Sequence, residues 1–231
     1  MSLLKHMTIC LTLSVQVILA QMEVKRPWIP VMVSTTALAV YATGGMSSYG
    51  IFPELTNKWG GPYRAENRDW HYAGYAFAGS QVILLGMSSL LANKGEWKAP
   101  LLVGAQAVST TYLLGQVSKS MLPRTRPYAV VDVCVDSDDC RSFWSGTSAL
   151  SMTFAGVGWQ YIDGYVEEKY RPWLKGSLLT LGASVMTARV LAGHHYVSDV
   201  LVGGAVGFAV GYLTASHHTI KATPTGLVWS F

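Results

Sequence analysis

Apolar and polar positions fall along this chain in long blocks, not residue by residue. After Arg26, formal charges are absent from residues 27–53, 70–93, 99–118, 142–162, 176–188 and 200–220. Most of these blocks approach or exceed the roughly 20 residues that cross a bilayer. The first is broken by Pro30, Gly44, Gly45 and Gly50, so its helix is expected to stop near Thr43. Residues 54–69 are polar and turn-rich, with Arg64, Glu66, Arg68 and Asp69 clustered. Ser, Thr, Gly and Gln recur inside the blocks, which also suits buried helices of a soluble helical domain. Period-2 alternation is confined to residues 219–231, expected to be an extended tail; one such segment cannot build a barrel. Gly203, Gly207 and Gly211 recur every four residues, placing them on one helical face open to close backbone approach. The predicted class is all-α, membrane-associated or spanning.

Residues 1–20 combine Lys5, a short apolar run and a terminal Ala20, the pattern of a secretory signal peptide. An uncleaved anchor is the alternative, although the run 7–20 is short for a span. The expected organisation is a signal segment 1–20, an N-terminal helix and loop 21–69, a helical core 70–216 and an extended tail 217–231.

Composition narrows the field. The chain has 231 residues, half of them hydrophobic and only 13% charged, against about 25% in ordinary soluble domains. That excludes a disordered protein. Seventeen Lys+Arg against 13 Asp+Glu give a net charge of +4, with no dense basic stripe, so no nucleic-acid partner is expected. Three cysteines are too few for a disulfide scaffold and lack zinc-site spacing.

The candidate chemistry lies at the ends of the apolar blocks. Lys119 ends one block, and Arg124 and Arg126 follow between Pro123 and Pro127. Taken alone, this is as easily a solvated basic anchor as a site. Ser145 and Gly146 open the next block after Arg141, and a helix N-terminus with a small residue can receive an anion. By itself that is an ordinary cap. Arg189, His195 and Asp199 sit between the last two blocks; a helical turn would set His195 and Asp199 on one face. A carboxylate on one imidazole nitrogen fixes the tautomer and leaves the other free to attack. A metal-binding fragment is the other reading of these residues, but no further cluster with ligand spacing accompanies them, so no metal and no cofactor are expected. Taken together, three cations, a helix N-terminus and a His–Asp pair describe a phosphoryl-transfer site.

Lys119-x6-Arg126-Pro127, Ser145-Gly146 and Arg189-x5-His195-x3-Asp199 resemble the signature of the type 2 phosphatidic acid phosphatase (PAP2) superfamily in order and spacing. The similar region runs over residues 70–214. The resemblance implies a core of about six helices with the site at one end. It implies that Lys119, Arg126 and Arg189 bind phosphate with Ser145 and the Gly146 amide. His195 would form a phosphohistidine and Asp199 would orient it, while Arg124 and Arg141 would lend charge from behind.

Three positions depart from the pattern. Trp144 stands where the family has Pro, and Ala188 where it has Ser; both read as packing changes. Thr147 stands where the family has the His that protonates the departing oxygen. A hydroxyl is too weak an acid for that task, and general acid catalysis is typically worth about 10²–10⁴-fold. The expectation is either selectivity for diphosphates, whose leaving group needs no proton, or impaired turnover, unless the adjacent His194 substitutes.

Cys134 and Cys140 bracket a short acidic loop and are expected to pair in an oxidising compartment. Asp136, Asp138 and Asp139 in that loop read as solvated, since the Gly and Glu of a calcium loop are missing. Counting crossings with residues 27–43 as a span after a cleaved signal puts the site in the cytoplasm. The disulfide and the family resemblance both favour the periplasmic side of the cell envelope, which is the expectation adopted. The expected function is a metal-independent phosphatase on a phosphorylated or diphosphorylated lipid at a membrane. The alternatives are a pseudophosphatase that only binds phosphate headgroups and a soluble periplasmic acid phosphatase on small phosphoesters.

Overall fold

The computed structural model describes residues 35–38, 66–91, 98–129, 138–217, 220–223 and 226–229. Five long helices lie among them: α1 Arg68–Leu91, α2 Lys98–Met121, α3 Gly146–Tyr165, α4 Arg171–Leu191 and α5 Val197–His217. Short 3-10 turns at Asp138–Cys140 and Glu168–Tyr170 lead into α3 and α4. The uncharged blocks therefore become helices, with α4 starting earlier than its block because Pro172 is accommodated in the first turn. The block 27–53 and residues 1–20 lie outside the described residues, apart from a helical segment at 35–38. The alternating tail forms a hairpin, β1 Ile220–Thr223 paired antiparallel with β2 Gly226–Trp229.

Helix α3 is the axis of the bundle and packs against the other four helices, most extensively α5. The cause is the glycine face of α5. A Cβ on Gly203 would lie 2.7 Å from the Ser145 carbonyl oxygen, and one on Gly207 or Gly211 would collide with the carbonyls of Ala149 and Thr153. Residue 145, the cap of α3, and residues 149 and 153 within it are themselves spaced by four, so two backbones ride along each other in register. Gly156 returns the contact against Phe208 and Tyr212 of α5.

Beside apolar clusters around Val157 and Leu178, the bundle interior holds many small and polar residues, while its outside carries large apolar ones. Ser148, Ser151 and Thr153 of α3 are buried. Thr153 Oγ1 shares a 2.8 Å hydrogen bond with Thr111 of α2, and Ser151 bonds to Gln81 of α1. Gln81 in turn donates to the Leu178 carbonyl of α4 at 3.0 Å. Ile83, Trp173, Leu201 and Leu213 meanwhile point outward, Trp173 at 78% exposure. The stretch Val197–Ser216 has a mean hydropathy of 1.5 and is only 33% buried. Such an inversion suits a bundle whose solvent is lipid, where helices associate through small residues and internal hydrogen bonds. The bundle is membrane-associated or spanning.

Candidate functional site

All five helices bring one end to the same place: the first turns of α1, α3 and α5 and the last turns of α2 and α4. A cavity of about 320 Å³ opens there, lined by Lys119, Arg126, Gly146, Thr147, Arg189 and His195 together with His71, Tyr75, Asp138 and His194. A larger apolar groove of about 1030 Å³ runs between α1 and α4 past Ile83, Leu84 and Trp173, but no titratable side chain lines it.

His195 is buried in the turn that precedes α5. It is not on a helical face with Asp199, as the i,i+4 spacing suggested. Its Nδ1 lies 2.9 Å from the Ser142 carbonyl and 3.8 Å from Asp199 Oδ2. The Ser142 carbonyl therefore receives the Nδ1 proton, and the Nε2 lone pair faces Arg126 NH1 at 3.4 Å. Burial, reinforced by Arg126, Lys119 and Arg189, lowers the His195 pKa to about 3, with Asp199 pulling the other way. The ring is neutral at ordinary pH, with an unprotonated Nε2 that faces Arg126.

Asp199 is fully committed elsewhere. It pairs with Arg124, accepts Ser142 Oγ at 2.6 Å and caps its own helix by accepting the Tyr196 amide at 3.1 Å. Ser142 thus links the two residues, its carbonyl on His195 and its hydroxyl on Asp199. The expected direct Asp199–His195 bond is replaced by this bridge. Arg124 stands behind the cavity: it donates to Ser198 Oγ at 2.8 Å, lies 4.2 Å from the Tyr196 ring centre and holds Asp199. Arg141 donates to Gln116 at 3.1 Å and its backbone bridges to Arg124.

The cations that line the cavity are Lys119, Arg126 and Arg189. Arg126 is held by the Asp138 carbonyl at 2.8 Å, the Asp138 carboxylate at 2.9 Å and the His194 carbonyl at 3.2 Å. The acidic loop expected to be solvated therefore clamps a site arginine. Burial raises the Asp138 pKa, but Arg126 and Lys119 together outweigh that and leave it below the ordinary value. Lys119 Nζ makes no hydrogen bond among the described residues and lies 3.9 Å from where a Gly146 side chain would begin. Arg189 Nε is buried without a hydrogen-bond partner among the described residues.

Gly146 and Thr147 reach the cavity wall at the N-terminus of α3, but the Ser145 hydroxyl does not. It is fully buried and accepts the Ser148 amide at 3.4 Å and the Ser148 hydroxyl at 2.9 Å, making it the helix cap. Trp144 packs over Gly115 of α2, and Ala188 against Gly74 of α1. Cys140 is buried and disulfide-bonded; Cys134 lies outside the described residues. Sequence reasoning missed Ser142, whose role is played partly by a backbone carbonyl, and His71, which comes from a helix far away in the chain.

A comparison with curated proteins finds no match. The crystal structure of a transmembrane PAP2 type phosphatidylglycerolphosphate phosphatase from Bacillus subtilis superposes with a TM-score of 0.50 at 19% sequence identity. It covers 90% of this chain and 94% of that one, a likeness of fold. The PAP2 superfamily signature matches residues 100–221, more than half of the sequence, and the chain belongs to that superfamily.

Proposed function

We propose that the protein is a membrane phosphatase that removes phosphate from a phosphorylated or diphosphorylated lipid through a phosphohistidine on His195 Nε2. The observation that carries this reading is the neutral His195, its Nδ1 on the Ser142 carbonyl and its Nε2 toward Arg126, in a cavity shared with Lys119 and Arg189. Lys119, Arg126 and Arg189 hold the phosphate oxygens, joined by amides at the Gly146 end of α3. His195 Nε2 attacks phosphorus, and the oxygen–phosphorus bond to the leaving group breaks. Water then cleaves the phosphorus–nitrogen bond. Asp199 acts at a distance, holding Ser142 and so the imidazole.

Location follows from two supports. The lipid-suited exterior of the bundle favours a substrate reached from the bilayer. The disulfide at Cys140, in the loop that clamps Arg126, favours an oxidising compartment and hence the periplasmic face of the cell envelope.

Thr147 carries the second reading, an enzyme restricted to diphosphates or a headgroup binder with little turnover. It lines the cavity at the end of α3, where its hydroxyl cannot protonate an alkoxide. The test is to incubate the detergent-purified protein with lipid mono- and diphosphates labelled in the terminal phosphate and quench in alkali. Acid-labile label on the wild type and none on His195→Ala is the expected result. Release of phosphate by His195→Ala at the wild-type rate would overturn the reading, and tight headgroup binding without release would favour the binder.

A further inference from the structure

Thr147 leaves its own position without an imidazole, yet the cavity holds two others outside the motif. His71 enters from the first turn of α1 and His194 from the turn before α5, and both line the cavity. Their ring centres are 4.4 Å apart, with His71 Nδ1 3.1 Å from His194 Nε2. Glu66 Oε1 lies 3.1 Å from that same His194 nitrogen. Arg189 NH1, part of the proposed phosphate clamp, lies 3.1 Å from His71 Nδ1. His71 Nε2 makes no hydrogen bond among the described residues, so one ring nitrogen is tied into a chain of partners and the other is free. Tyr75 and Tyr128 close the sides, with ring centres 5.0 Å from His71 and 4.9 Å from His194 respectively. A carboxylate, two imidazoles and a guanidinium in one hydrogen-bonded row form a proton store beside the phosphate clamp.

We propose that His71, backed by His194 and Glu66, is the proton donor that Thr147 cannot be. The inference rests on the phosphohistidine reading above. As His195 Nε2 bonds to phosphorus and the bond to the leaving oxygen breaks, that oxygen takes the proton from His71 Nε2. His71 Nδ1 in turn takes the Nε2 proton of protonated His194, leaving both rings neutral and Glu66 ionised. In the second half, water attacks phosphorus and returns one proton through His71 to His194. Inorganic phosphate departs and His195 is regenerated. Before substrate binds, burial and the positive charges of Arg189 and Arg126 lower the His194 pKa to about 4 against the upward pull of Glu66. A bound phosphate offsets those two guanidinium charges and so raises the proton affinity of the pair as substrate arrives.

The experiment compares n-hexyl phosphate, whose alkoxide needs a proton, with p-nitrophenyl phosphate, whose phenolate does not. His71→Asn is expected to slow the alkyl ester by about 100-fold more than the aryl ester, whose remaining loss reports only the lost contact to Arg189. The retained aryl activity shows that the variant is folded. Adding Thr147→His to His71→Asn is expected to restore alkyl hydrolysis. Equal losses on both esters, no loss on the alkyl ester, a double variant no better than His71→Asn, or a wild type that cleaves only the aryl ester would each overturn the assignment. In all of these, aryl hydrolysis abolished by His195→Ala leaves the phosphohistidine reading standing. Aryl hydrolysis that survives His195→Ala removes that reading as well.

Discussion

The seam between α3 and α5 and the cavity at the end of the bundle are built on opposite terms. Along the seam, small residues let backbones touch and buried hydroxyls such as Thr153 find partners. In the cavity, Lys119, Arg126 and Arg189 are brought together, and Arg189 Nε is buried without a hydrogen-bond partner among the described residues. Buried like charges oppose folding, so the seam and the buried pair behind His195 must hold what the cavity strains. The difference separates residues that keep the fold from residues that use it.

The largest effect is expected just behind the cavity. Arg124→Ala would leave the Asp199 carboxylate buried without its cation. Removing one partner of a buried pair costs about 3–5 kcal/mol. Chemical unfolding in detergent should show that loss, and activity should fall with it, because Ser142 and then His195 lose their support.

Arg189→Ala is expected to do the reverse. The turnover rate should fall about 10²–10³-fold, the scale of losing one charge-stabilising donor. The melting temperature should hold or rise, because a buried guanidinium beside the like charge of Arg126 is removed and no buried carboxylate is left unpaired. A lower melting temperature with little change in rate would erase the contrast between the two regions.

Gly207→Ala tests the seam itself. The new Cβ meets the Ala149 backbone, which cannot swing aside as a side chain can. Overpacking of this kind costs roughly 1–3 kcal/mol. Stability should fall, while any protein that remains folded keeps its rate per molecule.

Those three expectations differ in how far the sequence alone supports them. The glycine stripe was readable because a spacing of four maps directly onto one helix face. The cationic residues of the cavity were readable because motif order survives folding. The partners of His195 were not, since the hydrogen-bond acceptor is the Ser142 carbonyl and every residue has a carbonyl. Ser145 misled for a related reason: one hydroxyl can cap a helix or meet an anion, and local spacing does not say which. His71 and Glu66 were hidden by distance, being more than a hundred residues from His194 along the chain. The hairpin after α5 was visible only as alternation, because pairing depends on a partner strand.

An effect that vanishes at neutral pH and shows only in acid separates the two neighbouring histidines. Both sit in the turn before α5, with pKa values lowered to about 4 for His194 and about 3 for His195, in each case first by burial. In the unfolded chain each would titrate near 6.5. Below that pH the unfolded state binds more protons than the folded one, so stability is fully present above about 6.5 and declines as pH falls toward the folded values. Replacing either ring by Asn removes its share of that decline. The His194→Asn share should end near pH 4 and the His195→Asn share nearer pH 3. Melting curves between about pH 7 and 2.5 measure both. A His195→Asn protein whose acid sensitivity matches the wild type would mean that burial does not hold this ring neutral in acid.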